Sequence, residues 1–193
     1  MGGRAGGGAS GGMGSASRSR FAKIPGLQAI QDAKLRNEII SALDDYEKEF
    51  GVRLENISLS KLKGNVGGET YYKDKIILNS KVFTTSDNVK AVMKSAYDTG
   101  LLNKTNSPLR HIMVHELAHA TWTPGYKTSN KAAQKEILGA YRKFLKDSSA
   151  KGWGSYSKSH YTEFFAEAVA KHMYGAKDAH TQAVADIIKK YKL

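Results

Sequence analysis

The sequence predicts an α+β domain, mostly helical, with a small three-stranded sheet placed before its most apolar helix. Three observations carry this. Several long stretches repeat their apolar residues at spacings of three and four, as helices buried along one face do. Between residues 52 and 83 the spacing falls to two and glycines gather, as in short strands joined by turns. From Ser107 to Trp122 the chain is apolar nearly all round yet carries His111, His115 and His119, which suits a buried helix that bears chemistry.

Taken in order, residues 1–20 are mostly Gly, Ser, Ala and Arg with almost nothing to bury. They read as a flexible tail or linker, of the kind that joins one domain to another. Residues 21–193 form the domain. Residues 27–50 read as one helix, because Leu35, Ile39, Leu43, Tyr46 and Phe50 share a face and Gly51 can end it. Ile57 and Leu59 alternate, Gly64–Gly68 is a turn or bulge, and Glu69–Tyr72 and Lys75–Leu78 flank Lys73-Asp74 as a tight hairpin. An edge strand of such a sheet can pair with an extended peptide, and the glycines would let a backbone approach closely. A simple hairpin loop explains them equally well. Residues 86–99 form a helix capped by Ser86 or Asp87 and ended by Gly100.

The next helix starts with Ser107 as N-cap and Pro108 at its first position, and Pro124-Gly125 stops it. Residues 129–146 give an amphipathic helix with Ala133, Ile137, Leu138, Tyr141, Phe144 and Leu145 on one face. Residues 147–158 are loop. Residues 160–174 form a helix closed by Gly175, and Asp178 caps a last one with Ala183, Val184, Ile187, Ile188 and Tyr191 inward.

The chemistry lies in His115-Glu116-Leu117-Ala118-His119. Two histidines four apart on a helix lie one turn apart on one face, so both rings can grip one metal ion. The glutamate between them is turned aside, within reach of a water on that ion. The chain has no cysteine, so any metal is held by His, Asp or Glu. Extending the motif to H-E-x-x-H-x-x-G-x-x-H fails, because Trp122 and Gly125 stand where Gly and the third His belong. Glu163 and Glu167 are the candidates for a third ligand. They are four apart on a helix otherwise made of Phe164, Phe165, Ala166, Ala168, Val169 and Ala170. Two carboxylates on an apolar helix are costly unless something positive meets them. A surface pairing with Lys158 or Lys171 is the plainer alternative, but Phe164 and Phe165 make this helix a buried one, which favours the metal role.

His111 lies too far along the helix axis to join the first two histidines on one ion, His160 suits the surface, and His172 and His180 are structural or exposed. Trp122, Tyr126 and Trp153 are candidate walls of a substrate pocket.

Tyr156, seven residues before Glu163, followed by Glu163-Phe164-Phe165-Ala166-Glu167-Ala168, resembles the active-site signature of the anthrax-lethal-factor-like zinc metallopeptidases. The Pro-Pro endopeptidases belong to this gluzincin-type group, whose pattern is H-E-x-x-H, a gap of some forty residues, a Tyr, and E-F-F-A-E-A. The resemblance covers residues 107–175. Lys63–Phe83 resembles more weakly domains of phage head-associated proteins and polymorphic toxins. The resemblance implies a zincin-like fold and one catalytic zinc ion held by His115, His119 and Glu163. It implies that Glu116 is the general base, that Tyr156 points at the substrate carbonyl oxygen or leaving group, and that Glu167 orients a ligand histidine through its other nitrogen. The expected activity is hydrolysis of peptide bonds by zinc-activated water in a peptide or protein substrate, with Glu116 carrying the proton.

Composition sets the remaining bounds. No apolar run is long enough to span a membrane and no apolar signal segment opens the chain, which leaves the location open between cytoplasmic, virion-associated and released from a larger protein. The net charge of +12 suits an acidic partner or nucleic acid, but the lysines are scattered singly, as on a solvated surface. Two alternatives to an enzyme therefore stand: a phage- or toxin-associated structural or binding module with a non-catalytic metal site, and a nucleic-acid-associated basic protein.

Overall fold

The computed structural model describes residues 19–64, 66–71, 75–122 and 130–193. The tail expected over 1–20, the tip of the hairpin at Lys73-Asp74, the Pro124-Gly125 stop and Tyr126 lie wholly or largely outside them. The fold is α+β, mainly helical, with one three-stranded sheet among the described residues.

A 3-10 turn (Arg20–Lys23) leads into a short helix α1 (Pro25–Gln28) and then α2 (Ala33–Phe50). The single helix expected over 27–50 is thus two. Asp32 explains the break: its carboxylate accepts from Leu35 N at 3.0 Å and so starts a new helix where an uninterrupted one would leave it in mid-turn. The apolar stripe holds, with Leu35, Ile39, Leu43 and Tyr46 buried and Gly51 closing the helix at a φ of 72°.

Strands β1 (Ile57–Ser60), β2 (Gly68–Tyr71) and β3 (Lys75–Asn79) lie in the order β1-β3-β2. β2 and β3 are antiparallel, with Gly68 opposite Leu78 and Tyr71 opposite Lys75. β1 runs parallel to β3, Ile57 opposite Ile76. Ile57, Ile76 and Leu78 are buried.

α3 (Ser86–Asp98) is capped by Thr85, one residue earlier than expected, because it is the Thr85 hydroxyl that accepts from Asn88 N. α4 (Pro108–Thr121) has proline at its first turn, but Ser107 makes no side-chain cap. α5 (Lys131–Lys146) buries Ala133, Ile137 and Phe144, a narrower stripe than expected, and leaves Leu145 exposed. A second 3-10 turn (Ser155–Lys158) stands inside the expected loop. α6 (Tyr161–Tyr174) follows, capped by His160, and α7 (Ala179–Tyr191) opens with a capping box from Asp178 to Thr181.

α4 is the centre of the molecule. It packs against α2, α3, α6 and the β2–β3 side of the sheet, and Leu109, Met113, Val114, Leu117 and Ala118 are buried. α6 is likewise apolar, with Phe164 to Ala170 inside. Two apolar helices can lie together in a core only if their polar residues meet one another, and that requirement places the site.

Candidate metal centre and active site

His115 and His119 face α6, where Glu163 meets them. His115 Nε2 and His119 Nε2 stand 3.1 Å apart, and Glu163 Oε2 is 3.3 Å from the first and 3.2 Å from the second. Three donors about 2.0–2.1 Å from one tetrahedral ion stand about 3.3 Å apart, so this triangle has the size a zinc site requires. The donor set, two imidazoles and one carboxylate, suits zinc as well. His115, His119 and Glu163 thus could hold a metal ion.

Glu167 lies one turn further along α6 and is fully buried, whereas Glu163 keeps 19% of its side chain exposed. Its Oε1 sits 2.9 Å from His115 Nδ1 and 2.9 Å from His111 Nε2, and its Oε2 accepts from Asn103 N at 2.8 Å. His111 Nδ1 in turn lies 3.1 Å from the Tyr97 hydroxyl, which is 2.9 Å from Thr105 Oγ1. A single assignment satisfies the chain: both histidines donate to Glu167, and Tyr97 donates to His111. It fixes the proton of His115 on Nδ1 and turns Nε2 towards Glu163 and His119. His111, His115 and Glu167 also form a group that could hold an ion. Their spacing is that of ordinary hydrogen bonds, and Glu167 already accepts three of them.

Electrostatics match this geometry. Burial works to raise the Glu163 carboxyl, but hydrogen bonds from His115 and His119 win and hold it well below the usual range. Burial likewise opposes ionisation of Glu167, and His111 and His115 overcome it. Burial would lower His115, yet Glu163 and Glu167 raise it to about 10. Two ionised carboxylates in an apolar setting need a cation between them, which a proton on His115 or a metal ion supplies. The plainer pairing of these glutamates with lysine is not found. Lys171 is buried, bonds to Asp178 at 2.7 Å and lies 4.5 Å from the centre of the Trp153 ring, while Lys158 is exposed.

Glu116 is buried on the sheet side of α4. Thr70 Oγ1, on β2, lies 2.7 Å from Glu116 Oε2 and 3.0 Å from its carbonyl oxygen. Gly68 on the same strand lets the side chain pass: a Cβ there would stand 2.8 Å from Glu116 Cγ. The glycines thus bring β2 onto α4.

Tyr156 reaches the site from the second 3-10 turn. Its ring stacks over His115 at 6.1 Å between centroids, and partial burial and then the charge of Glu163 push its hydroxyl up to about 12. It therefore keeps its proton at neutral pH. The turn is held by the loop before α4, through Ser155 N to Gly100 O at 2.8 Å and Tyr156 N to Leu101 O at 2.9 Å. Asn103, buried in that loop, ties the parts together. Its Oδ1 accepts from Gly154 N at 2.6 Å and its Nδ2 donates to Glu167 O at 3.1 Å.

The six site residues singled out in the sequence, His115, Glu116, His119, Tyr156, Glu163 and Glu167, are therefore brought together. His111, which the sequence sets aside as too far along the helix to share the ion, joins them through Glu167, and Thr70 and Asn103 join them without having been picked out by pattern. Trp122 and Trp153 do not line the site. Trp122 is buried against Tyr161 and Phe165, and Trp153 stacks on Phe144 and Phe164. His160 is exposed, and its ring accepts from Thr162 N. His180 lies 2.8 Å from Asp147, and His172 is buried beside Glu49. Among the described residues no helix is long and apolar enough to cross a membrane. Comparison of the chain with protein-family models, with curated proteins and with solved structures finds no match.

Proposed function

We propose that the chain is a zinc-dependent endopeptidase of the anthrax-lethal-factor-like, zincin-fold group. The observation that carries this is the pairing of a zinc-sized triangle, His115, His119 and Glu163, with a carboxylate and a phenol that a purely structural site would not need. When bound, zinc supplies Lewis-acid polarisation of the peptide carbonyl and of the attacking water. Glu116, steered by Thr70, takes a proton from that water and returns it to the departing amine. The Tyr156 hydroxyl donates to the carbonyl oxygen as charge develops on it, a role that requires the proton it retains. Glu167 and His111 keep His115 in one orientation and one tautomer.

The test is metal dependence on an unfolded protein substrate. Zinc-loaded protein should cleave denatured casein, lose this on treatment with a chelator and regain it with one equivalent of zinc. Glu116→Ala should hold one zinc and cleave nothing. Zinc binding with no metal-dependent cleavage would instead favour a structural metal site.

A further inference from the structure

α5 packs against α6 and α7 and buries Ala133, Ile137 and Phe144. On its opposite side stand Lys131, Lys135, Arg142 and Lys146, all exposed. Their spacings of four, seven and four bring them within about 60° of one another around the axis, in a stripe about 22 Å long. Along the chain these cations look scattered, and the helix gathers them.

Nothing in the fold calls for this stripe. Like charges one turn apart repel, and Lys131 stands in the first turn, where the helix dipole favours an acid. That turn holds no acidic residue. Glu136, the one acid within α5, lies off the stripe and takes Lys190 and Tyr191 of α7. Asp147, just past the helix, lies 2.8 Å from His180. α3 and α7 treat their lysines differently, for each has a carboxylate: Lys90 has Asp87, Lys94 has Asp98, Lys189 has Glu49 and Lys190 has Glu136. Among the described residues no side chain pairs with any of the four cations of the stripe.

We propose that the outer face of α5 docks on the phosphate backbone of duplex DNA. The proposal does not rest on the peptidase reading. A row of cations with no acid among them complements a polyanion that carries one charge per about 1.7 Å of its axis. The stripe holds no aromatic residue, which stacking on single-stranded bases would need. One exposed leucine, Leu145, flanks it, too little to enter a bilayer, because the rest of the apolar face of α5 is spent on the core. B-form DNA has a major groove wide enough for a helix, and A-form RNA does not. Contacts to phosphate carry no sequence information, so the binding is indifferent to sequence.

The experiment follows the fluorescence anisotropy of a labelled 20-base-pair duplex of mixed sequence, titrated with the full chain at several KCl concentrations. Two variants run beside it. One changes Lys131, Lys135, Arg142 and Lys146 to Gln; the other changes Lys34, Lys48, Lys61 and Lys63, exposed on other elements, to Gln. Both lose the same four charges, so only their placement differs. Wild type should bind, with log K falling against log [KCl] at a slope of about −3.6 or steeper, as four phosphate contacts require. The stripe variant should bind about tenfold or more weaker at 50 mM KCl, with a slope shallower by about 3.6, while the second variant keeps most of the affinity. A third variant, with Lys131, Lys135 and Lys146 changed to Arg, should bind as wild type does. No binding at 50 mM KCl, equal weakening in the two Gln variants, or an unchanged stripe variant would overturn the proposal. So would tighter stripe-dependent binding to single-stranded DNA, to duplex RNA, to phosphatidylserine vesicles or to polyglutamate.

Discussion

His115 is used from both sides of its ring. Nε2 turns to Glu163 and His119, and Nδ1 to Glu167, which also holds His111. Spacing on α4 shows that His115 and His119 share a face, and it puts His111 out of reach of the same ion. It does not show that a carboxylate on another helix stands between His111 and His115. Thr70 and Asn103 were harder still. Each acts on a residue far along the chain, and a threonine in a strand or an asparagine in a loop has no spacing that marks it. Tyr156 gives the sharpest expectation at this scale. Tyr156→Phe removes one donor and nothing that holds metal, so zinc affinity should be unchanged while peptide turnover falls about a hundredfold. Equal turnover by the two proteins, measured at saturating zinc, would take Tyr156 out of the reaction.

Among the elements, β2 is the one whose placement decides most. It lies at the edge of the sheet and against α4, and Gly68 is where the two approach. Gly68→Ala should displace the Glu116 side chain, lowering turnover about tenfold or more while the zinc content stays at one per chain. An unchanged rate would show that Glu116 is not set by this strand. The start of α2 is a separate device. Asp32 caps it and also accepts from Ser86 N at 2.6 Å, joining α2 to α3. The hydrogen bonds from Ser86 and then Leu35 hold its carboxyl down from 3.8 to about 2. A carboxyl whose value is lower in the folded chain stabilises the fold above its unfolded value, and that contribution is lost as pH falls through the folded one. Asp32→Asn, which can still cap, should therefore be less stable than wild type at pH 6. The gap in urea midpoint should close between pH 4 and pH 2. A constant gap across that range would mean that charge at Asp32 contributes nothing. The broken helix also shows where periodicity is silent: the stripe runs from Leu35 to Phe50, and none of its residues lies before Asp32 to mark the break.

For the whole molecule, the core is shared by α2, α4, α6 and the sheet, and the candidate metal centre lies at one border of it. Its polar residues are hydrogen-bonded to one another, so the fold does not wait on the ion. Removing zinc should leave a cooperative thermal transition lowered by roughly 10 °C, as expected for an ion present at about a hundred times its dissociation constant. Loss of the transition altogether would place the metal among the things that make the chain fold. The α+β class and most helices were legible because each buries a stripe with a clear period. The parallel pairing of β1 with β3 was not, because strand order depends on how the sheet meets α1 and α4. The tryptophans misled for a related reason, since large aromatic residues near a motif in sequence are as useful to the core as to a pocket, and here Trp122 is in the core and Trp153 packs against it.

The most direct measurement is to incubate zinc-loaded protein with a proteome-derived peptide pool and map new termini by mass spectrometry, with Glu116→Ala alongside. A zinc endopeptidase built as described leaves new termini in the wild-type sample alone. No new termini from protein shown to hold one zinc, or the same termini from Glu116→Ala, would contradict it.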